Sequence, residues 1–199
     1  MSLRHKRWVL FLGSLAFLAA SLLLPGEAAK LAVLVLGAAA LLIFLYRNME
    51  ELTQVEADSP RLGLMKQTVV FSFAFLALAV GAVWLVKTGH VSPRQEELLT
   101  AGLVCVLVLY IGNVSPRLPF NRYVGFRLPW TVTDEDAWVL CHRLVGCLTL
   151  PVVMLYIAAV LALPGKIVQV SAVLVLVIWM GIPGGLSGLF YYRKYHPKT

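Results

Sequence analysis

Six long apolar runs, separated by shorter polar stretches, occupy most of the chain. They extend from Trp8 to Leu24, Leu31 to Tyr46, Val69 to Val86, Leu98 to Ile111, Leu144 to Leu163 and Val168 to Phe190. None holds an Asp, Glu, Lys or Arg. A membrane-spanning helix needs about 20 apolar residues, with a range of about 17 to 25. The second and fourth runs are short and must borrow flanking residues; Gly112 to Val114 can extend the fourth. In lipid a helix satisfies its own backbone polar groups. The pattern therefore predicts an all-α membrane protein, a bundle of about six transmembrane helices. It divides into an N-terminal three-helix region, 1–96, and a C-terminal three-helix region, 97–199, with a long loop at 113–137. No internal repeat is evident.

Composition agrees: 60% of the 199 residues are hydrophobic, against about 45–50% in soluble domains. The net charge of +7 does not indicate nucleic-acid binding, because no soluble basic domain is left to carry it. The charge acts instead as a topology signal. Arg4, Lys6 and Arg7 precede the first run. Arg47, Arg61 and Lys66 lie between the second and third. Arg117, Arg122, Arg127 and Arg143 lie between or beside the fourth and fifth, and Arg193, Lys194 and Lys198 follow the sixth. The alternate loops hold only Lys30, Lys87, Arg94 and Lys166. Under the positive-inside rule both termini, the 47–66 hairpin and the 113–137 loop are cytoplasmic. Trp8, Tyr46, Tyr191 and Tyr192 at inner ends, and Trp84 at an outer end, fit headgroup-level aromatics. A second reading of the start is a cleaved secretory signal, which would leave five spans and an outside N-terminus. The first apolar run exceeds the usual core of about 7 to 15 residues, favouring a retained helix.

Candidate chemistry is sparse. No acidic residue falls inside an apolar run, which weakens a proton-coupled transporter. His5, His90, His142 and His196 are scattered, and no HExxH, CxxC or glycine-rich phosphate motif occurs. No metal or cofactor site is expected. Cys105, Cys141 and Cys147 read as small apolar core residues. Asp134, Glu135 and Asp136 read as favourable charge at a helix N-terminus. In the sixth run, Gly181 and Gly185, like Gly184 and Gly188, are four apart, a spacing that lets helices approach closely. Pro183 beside them predicts a kink, so a hinge or substrate groove is the alternative there.

The 113–137 loop departs from the rest. Pro116 and Pro119 stop the fourth helix, Asn121 to Gly125 can form a turn, and Pro129 biases Leu128 to an extended conformation. Thr133 is the expected N-cap of a helix that begins with Asp134 and continues into the fifth run, where Pro151 predicts a bend. Trp138 and His142, four apart, share a helix face. Arg122 and Arg127 are placed to fold back against that face or to reach anionic oxygens.

These residues resemble the SdpI immunity protein family of bacterial membrane proteins. The resemblance lies in Gly112-Asn113, Pro116, Asn121, Gly125-x-Arg127-x-Pro129-Trp130-Thr131, Trp138, His142-Arg143 and Gly146. The family pattern reads GN-x-x-P, then N-x-x-x-GIRTPWTL, then W-x-x-(T)H-R-x-x-G. Phe126, Leu128, Val132 and Cys141 depart from it. The resemblance covers the fourth and fifth spans with their loop. The additional N-terminal membrane signature of longer relatives is absent from the first three. The resemblance implies a multi-pass protein of the bacterial cytoplasmic membrane. It further implies immunity to a secreted membrane-active toxin peptide and a signalling role through a cytoplasmic transcriptional repressor. Asn113, Pro116, Asn121, Arg122, Gly125, Arg127, Pro129, Trp130, Thr131, Trp138, His142 and Arg143 are then the partner-binding or conformational motif. Membrane lipids are the other expected partner. The competing classes are a small transporter or channel built on the glycines of the sixth run, and a structural lipid-contacting module. An intramembrane enzyme is least expected, for want of a nucleophile, metal or acid constellation.

Overall fold

The computed structural model describes residues 2–56, 58–121, 124–163 and 166–196. Among them are six α-helices and no strand: α1 (Leu3–Leu23), α2 (Glu27–Thr53), α3 (Pro60–Lys87), α4 (Pro93–Val114), α5 (Glu135–Ala162) and α6 (Lys166–Tyr195). Five segments, Ala28–Thr53, Pro60–Lys87, Pro93–Arg117, Glu135–Ala162 and Val170–Tyr195, are long and apolar enough to cross a membrane. In α1 the first turns are taken up by Arg4, His5, Lys6 and Arg7, so its apolar part is shorter than its 21 residues. The outward faces of α5 and α6 carry exposed Leu150, Leu155, Leu161, Val173 and Val177, as a lipid-facing surface requires. The chain is an all-α membrane protein.

Helix ends do not follow the ends of the apolar runs. α2 continues past Tyr46 through the polar stretch RNMEELT and closes on Gln54 in the left-handed conformation. Met49 and Leu52, three apart and fully buried, give that polar extension an apolar edge. α3 starts at Pro60, well before its apolar run, with Leu62, Met65 and Val69 buried at helical spacing. The 47–66 hairpin is therefore mostly helix. α4 likewise begins in the polar sequence PRQEE. Ser92 and Gln95 form a reciprocal capping box there, with Pro93 in the first turn.

The chain forms two compact units, Met1–Ala77 and Leu78–Thr199, divided within α3. In the first, α1 and α2 pair closely. A Cβ on Gly37 would collide with the Phe17 ring, and one on Gly13 would sit 3.2 Å from Leu41. Lys6 reaches Glu51 at 2.6 Å.

In the second unit α5 packs between α4 and α6. One core layer joins Val108, Val145, Val152, Val153 and Trp179; another joins Ala101, Tyr156, Val160 and Ala172. A polar link crosses the first layer. Trp179 Nε1 donates to Thr149 Oγ1 at 3.0 Å, and that hydroxyl donates to the Val145 carbonyl at 2.7 Å. At the other end of α5, Arg94 pairs with Glu97 and donates to the Val160 carbonyl at 3.0 Å. Pro151 and Pro183 both lie inside continuous helices. Cys141 is buried and Cys105 half-buried, but Cys147 is exposed, because it falls on the outer face of α5 between Gly146 and Leu148. It is not a core residue.

Candidate functional site

α4 and α5 cross at small residues. A Cβ on Gly112 would overlap the Thr149 side chain, and one on Gly146 would lie 2.5 Å from Pro116 Cγ and 3.2 Å from the Gly112 carbonyl. Pro116 sits in a 3-10 turn, Ser115–Arg117, that ends α4. Its ring thus rests on the notch left by Gly146. Asn113 is exposed, and its Oδ1 accepts from Arg117 Nη2 at 3.1 Å.

From Leu118 the chain folds into a cap whose polar groups are satisfied internally. Asn121, 8% exposed, closes a turn. Its Nδ2 donates to the carbonyls of Pro119 and Val124, and its Oδ1 accepts from the Val124 N–H at 2.7 Å. Arg122 lies outside the described residues. Gly125 follows with φ +118°, a region that disfavours any side chain. Its missing Cβ is also needed for space, since a Cβ would stand 2.7 Å from His142 Nε2 and 2.8 Å from Trp138 Cη2.

Trp138 and His142 form the post on which the cap rests. Their rings stack at 3.9 Å, with Phe120 edge-on to Trp138 and Phe126 edge-on to His142. Both are buried. His142 Nδ1 faces the Trp138 carbonyl at 2.8 Å, and its Nε2 accepts the Phe126 N–H at 3.0 Å. A carbonyl demands a donor and an N–H demands an acceptor. The ring is therefore the neutral Nδ1–H tautomer with both nitrogens engaged. Such a histidine positions the loop and has no nitrogen left to ligate a metal or shuttle a proton. Trp138 Nε1 donates to the Leu118 carbonyl at 3.3 Å, tying the start of the loop to the same post.

The second half is held by Thr131 and by α6. Thr131 is fully buried, accepts the Leu128 N–H at 2.8 Å and donates to the Phe126 carbonyl at 2.7 Å. Trp130 Nε1 donates to Ser187 Oγ at 3.0 Å, and that hydroxyl donates in turn to the Gly184 carbonyl. Gly184 and Gly188 receive loop side chains: their absent Cβ atoms would lie 3.1 Å from Leu128 and from Trp130. Gly181 and Gly185 have open space at the corresponding position.

The N-cap of α5 is Asp134, one residue after the expected Thr133. The Thr133 hydroxyl turns back to the Pro129 carbonyl at 2.9 Å, whereas Asp134 Oδ1 accepts the Ala137 N–H at 2.8 Å. Asp134 Oδ2 also receives Lys194 Nζ at 2.5 Å and the Tyr195 hydroxyl at 2.7 Å, and Lys194 reaches Asp136 as well. The acidic cluster is thus both a helix cap and a latch to the end of α6. Burial by itself would raise the Asp134 pKa; the bonds from Lys194, Ala137 and Tyr195 outweigh it and lower the value from 3.8 to about 2. A depressed carboxyl stabilises the fold above its unfolded pKa and loses that contribution as pH falls through the folded value. Stability should therefore be flat from neutral pH to about 5 and decline by about 2 kcal/mol between pH 4 and 2. Asp134→Asn, which retains capping ability, should lack that part of the acid limb when thermal unfolding of both proteins is followed across this range.

Arg127 and Arg143 are exposed. Arg127 lines an open hollow of about 550 Å³ with Leu128, Pro129, Val132 and Thr133. The motif residues Asn121, Gly125, Thr131, Trp138 and His142 build the cap from within, while Arg127 and Pro129 show on its surface. Sequence reasoning missed Ser187, Thr149, Lys194 and Tyr195. The only signals were a lone hydroxyl on the small-residue face of α6 and one in α5, and a basic, aromatic pair at the end of α6.

Comparison with known proteins leads to the same segment. Residues 117–188 match the SdpI/YfhL protein family. The immunity protein SdpI of Bacillus subtilis (strain 168) is 33% identical over 97 residues, covering 48% of this chain and 46% of that relative. The match thus spans about half the length of the relative. No solved structure matches the chain. It is a multi-pass bacterial membrane protein, and the segment that forms the cap, α5 and most of α6 is similar to the SdpI/YfhL protein family.

Proposed function

We propose that this chain is an immunity protein that protects a bacterial cell against a secreted membrane-active toxin peptide, with the cap as its recognition surface. One observation carries the reading. The cap uses its buried polar groups within its own architecture, and Arg127 lines an apolar-edged hollow at its surface. A guanidinium next to Leu128, Pro129 and Val132 suits a peptide segment that places a carboxylate beside apolar side chains. The immunity role of the SdpI relative supports it. The distribution of Lys and Arg along the chain favours a cytoplasmic position for the cap and both termini. There the same surface is available to hold a transcriptional repressor at the membrane.

The test is survival. The wild-type chain is expressed in a toxin-sensitive bacterium that lacks its own protector, and the cells are challenged with secreted membrane-active toxin peptides, including any encoded beside this gene. Wild type should raise survival at least tenfold. Arg127→Ala should lose most of that gain at equal membrane abundance, and Arg117→Ala, which removes only the bond to Asn113, should keep it. No gain with wild type, or equal gain in both variants, would overturn the proposal.

A further inference from the structure

The start of α1 carries an electrostatic debt. Ser2 caps the helix, and Arg4, His5, Lys6 and Arg7 crowd its first turns with no acidic residue among them. A helix N-terminus bears a partial positive charge, so cations there are unfavourable and an anion is favoured. Lys6 is compensated by Glu51 at 2.6 Å. Arg4 and Arg7 have no ion-pair partner among the described residues. They lie one turn apart and, with Leu3, Trp8 and Phe11, line an open hollow of about 600 Å³. Trp8 and Phe11 meet edge to face, and both are more than half exposed.

We infer that this hollow seats the headgroup of an anionic phospholipid. The two guanidiniums supply planar, multidentate donors for phosphate oxygens. Leu3, Trp8 and Phe11 supply an apolar wall for the glycerol and the first acyl carbons. The hollow lies where the basic turn meets the apolar run beginning at Trp8, the kind of boundary at which cationic side chains meet lipid phosphates. A free phosphate would use the arginines and leave the apolar wall bare; a lipid uses both. The occupied site also supplies the negative charge that the helix end lacks.

The full-length chain is equilibrated in mixed micelles of phosphatidylglycerol and phosphatidylcholine, and retained lipids are counted by native mass spectrometry. Wild type should retain phosphatidylglycerol preferentially. A basic residue near an anionic lipid surface contributes about 1 kcal/mol, so Arg4→Gln/Arg7→Gln should reduce the preference by roughly an order of magnitude. Arg61→Gln, at the start of α3, should leave it unchanged. A second measurement needs no charge variant. Brominated phosphatidylglycerol should quench the fluorescence component removed by Trp8→Phe more than brominated phosphatidylcholine does. Equal retention by wild type and the double variant, equal quenching by the two lipids, or displacement of the lipid by millimolar inorganic phosphate would overturn the inference.

Discussion

Gly125→Ala is expected to destabilise the protein by about 3 kcal/mol and to release the cap from its post. Two costs add. The backbone at φ +118° penalises any side chain by about 1–3 kcal/mol. The new methyl would also have to displace His142 Nε2 and the Trp138 ring, standing under 3 Å from both; forced overpacking costs about 1–3 kcal/mol. Neither ring can yield easily, because each holds a hydrogen bond to the loop and they stack on one another. Thermal unfolding in detergent should show the loss, together with a change in Trp138 emission as its surroundings open. Gly185→Ala is the matched control. Nothing lies within 4 Å of its added methyl, and alanine is the better helix former by about 1 kcal/mol, so stability should hold or rise. Equal behaviour of the two variants would refute the assigned role of Gly125.

Gly112→Ala should cost a similar amount by a different route. The added methyl would occupy the place of the Thr149 side chain. Moving Thr149 breaks its bond to the Val145 carbonyl and deprives Trp179 Nε1 of its shorter acceptor, leaving it the Val145 carbonyl at 3.3 Å. Overpacking and the lost hydrogen bonds together predict a destabilisation of about 2–4 kcal/mol. Thr149→Gly should also destabilise, by opening a void and removing the shorter of the two hydrogen bonds of the Trp179 indole. In the double variant the alanine methyl has room, so the combined loss should fall short of the sum of the single losses by at least 1 kcal/mol. Strict additivity would mean that the α4–α5 crossing does not depend on this contact.

The fold was legible because charge-free apolar runs leave few alternatives to membrane helices. What the runs did not mark were the helix ends. α2 and α3 extend through polar sequence because residues such as Met49, Leu52, Leu62 and Met65 keep one edge buried, a periodicity that average hydropathy washes out. The cap was partly legible. The spacing of Trp138 and His142 placed them on one face, and the prolines marked where α4 had to stop. Its ties to α6 were not, since Ser187, Lys194 and Tyr195 lie about sixty residues from their partners. A lone serine among glycines and a terminal lysine look unremarkable until the partner is adjacent. Asp134 displaced Thr133 as the cap residue for the same reason. Locally either serves, and only the distant lysine and tyrosine favour the carboxylate.

Those long ties set an order of assembly. The cap is synthesised well before the helix that completes it. When residue 134 leaves the ribosome, the serine that holds Trp130, the glycines that receive Leu128 and Trp130, and the Lys194–Tyr195 latch have not yet been made. Until α6 is inserted, the loop can close only half of its bonds, those to Trp138, His142 and Thr131. Completion of the cap therefore waits for the C-terminal turn of α6, which carries the latch. A nascent or truncated chain that stops short of it would carry the whole cap sequence without its finished shape.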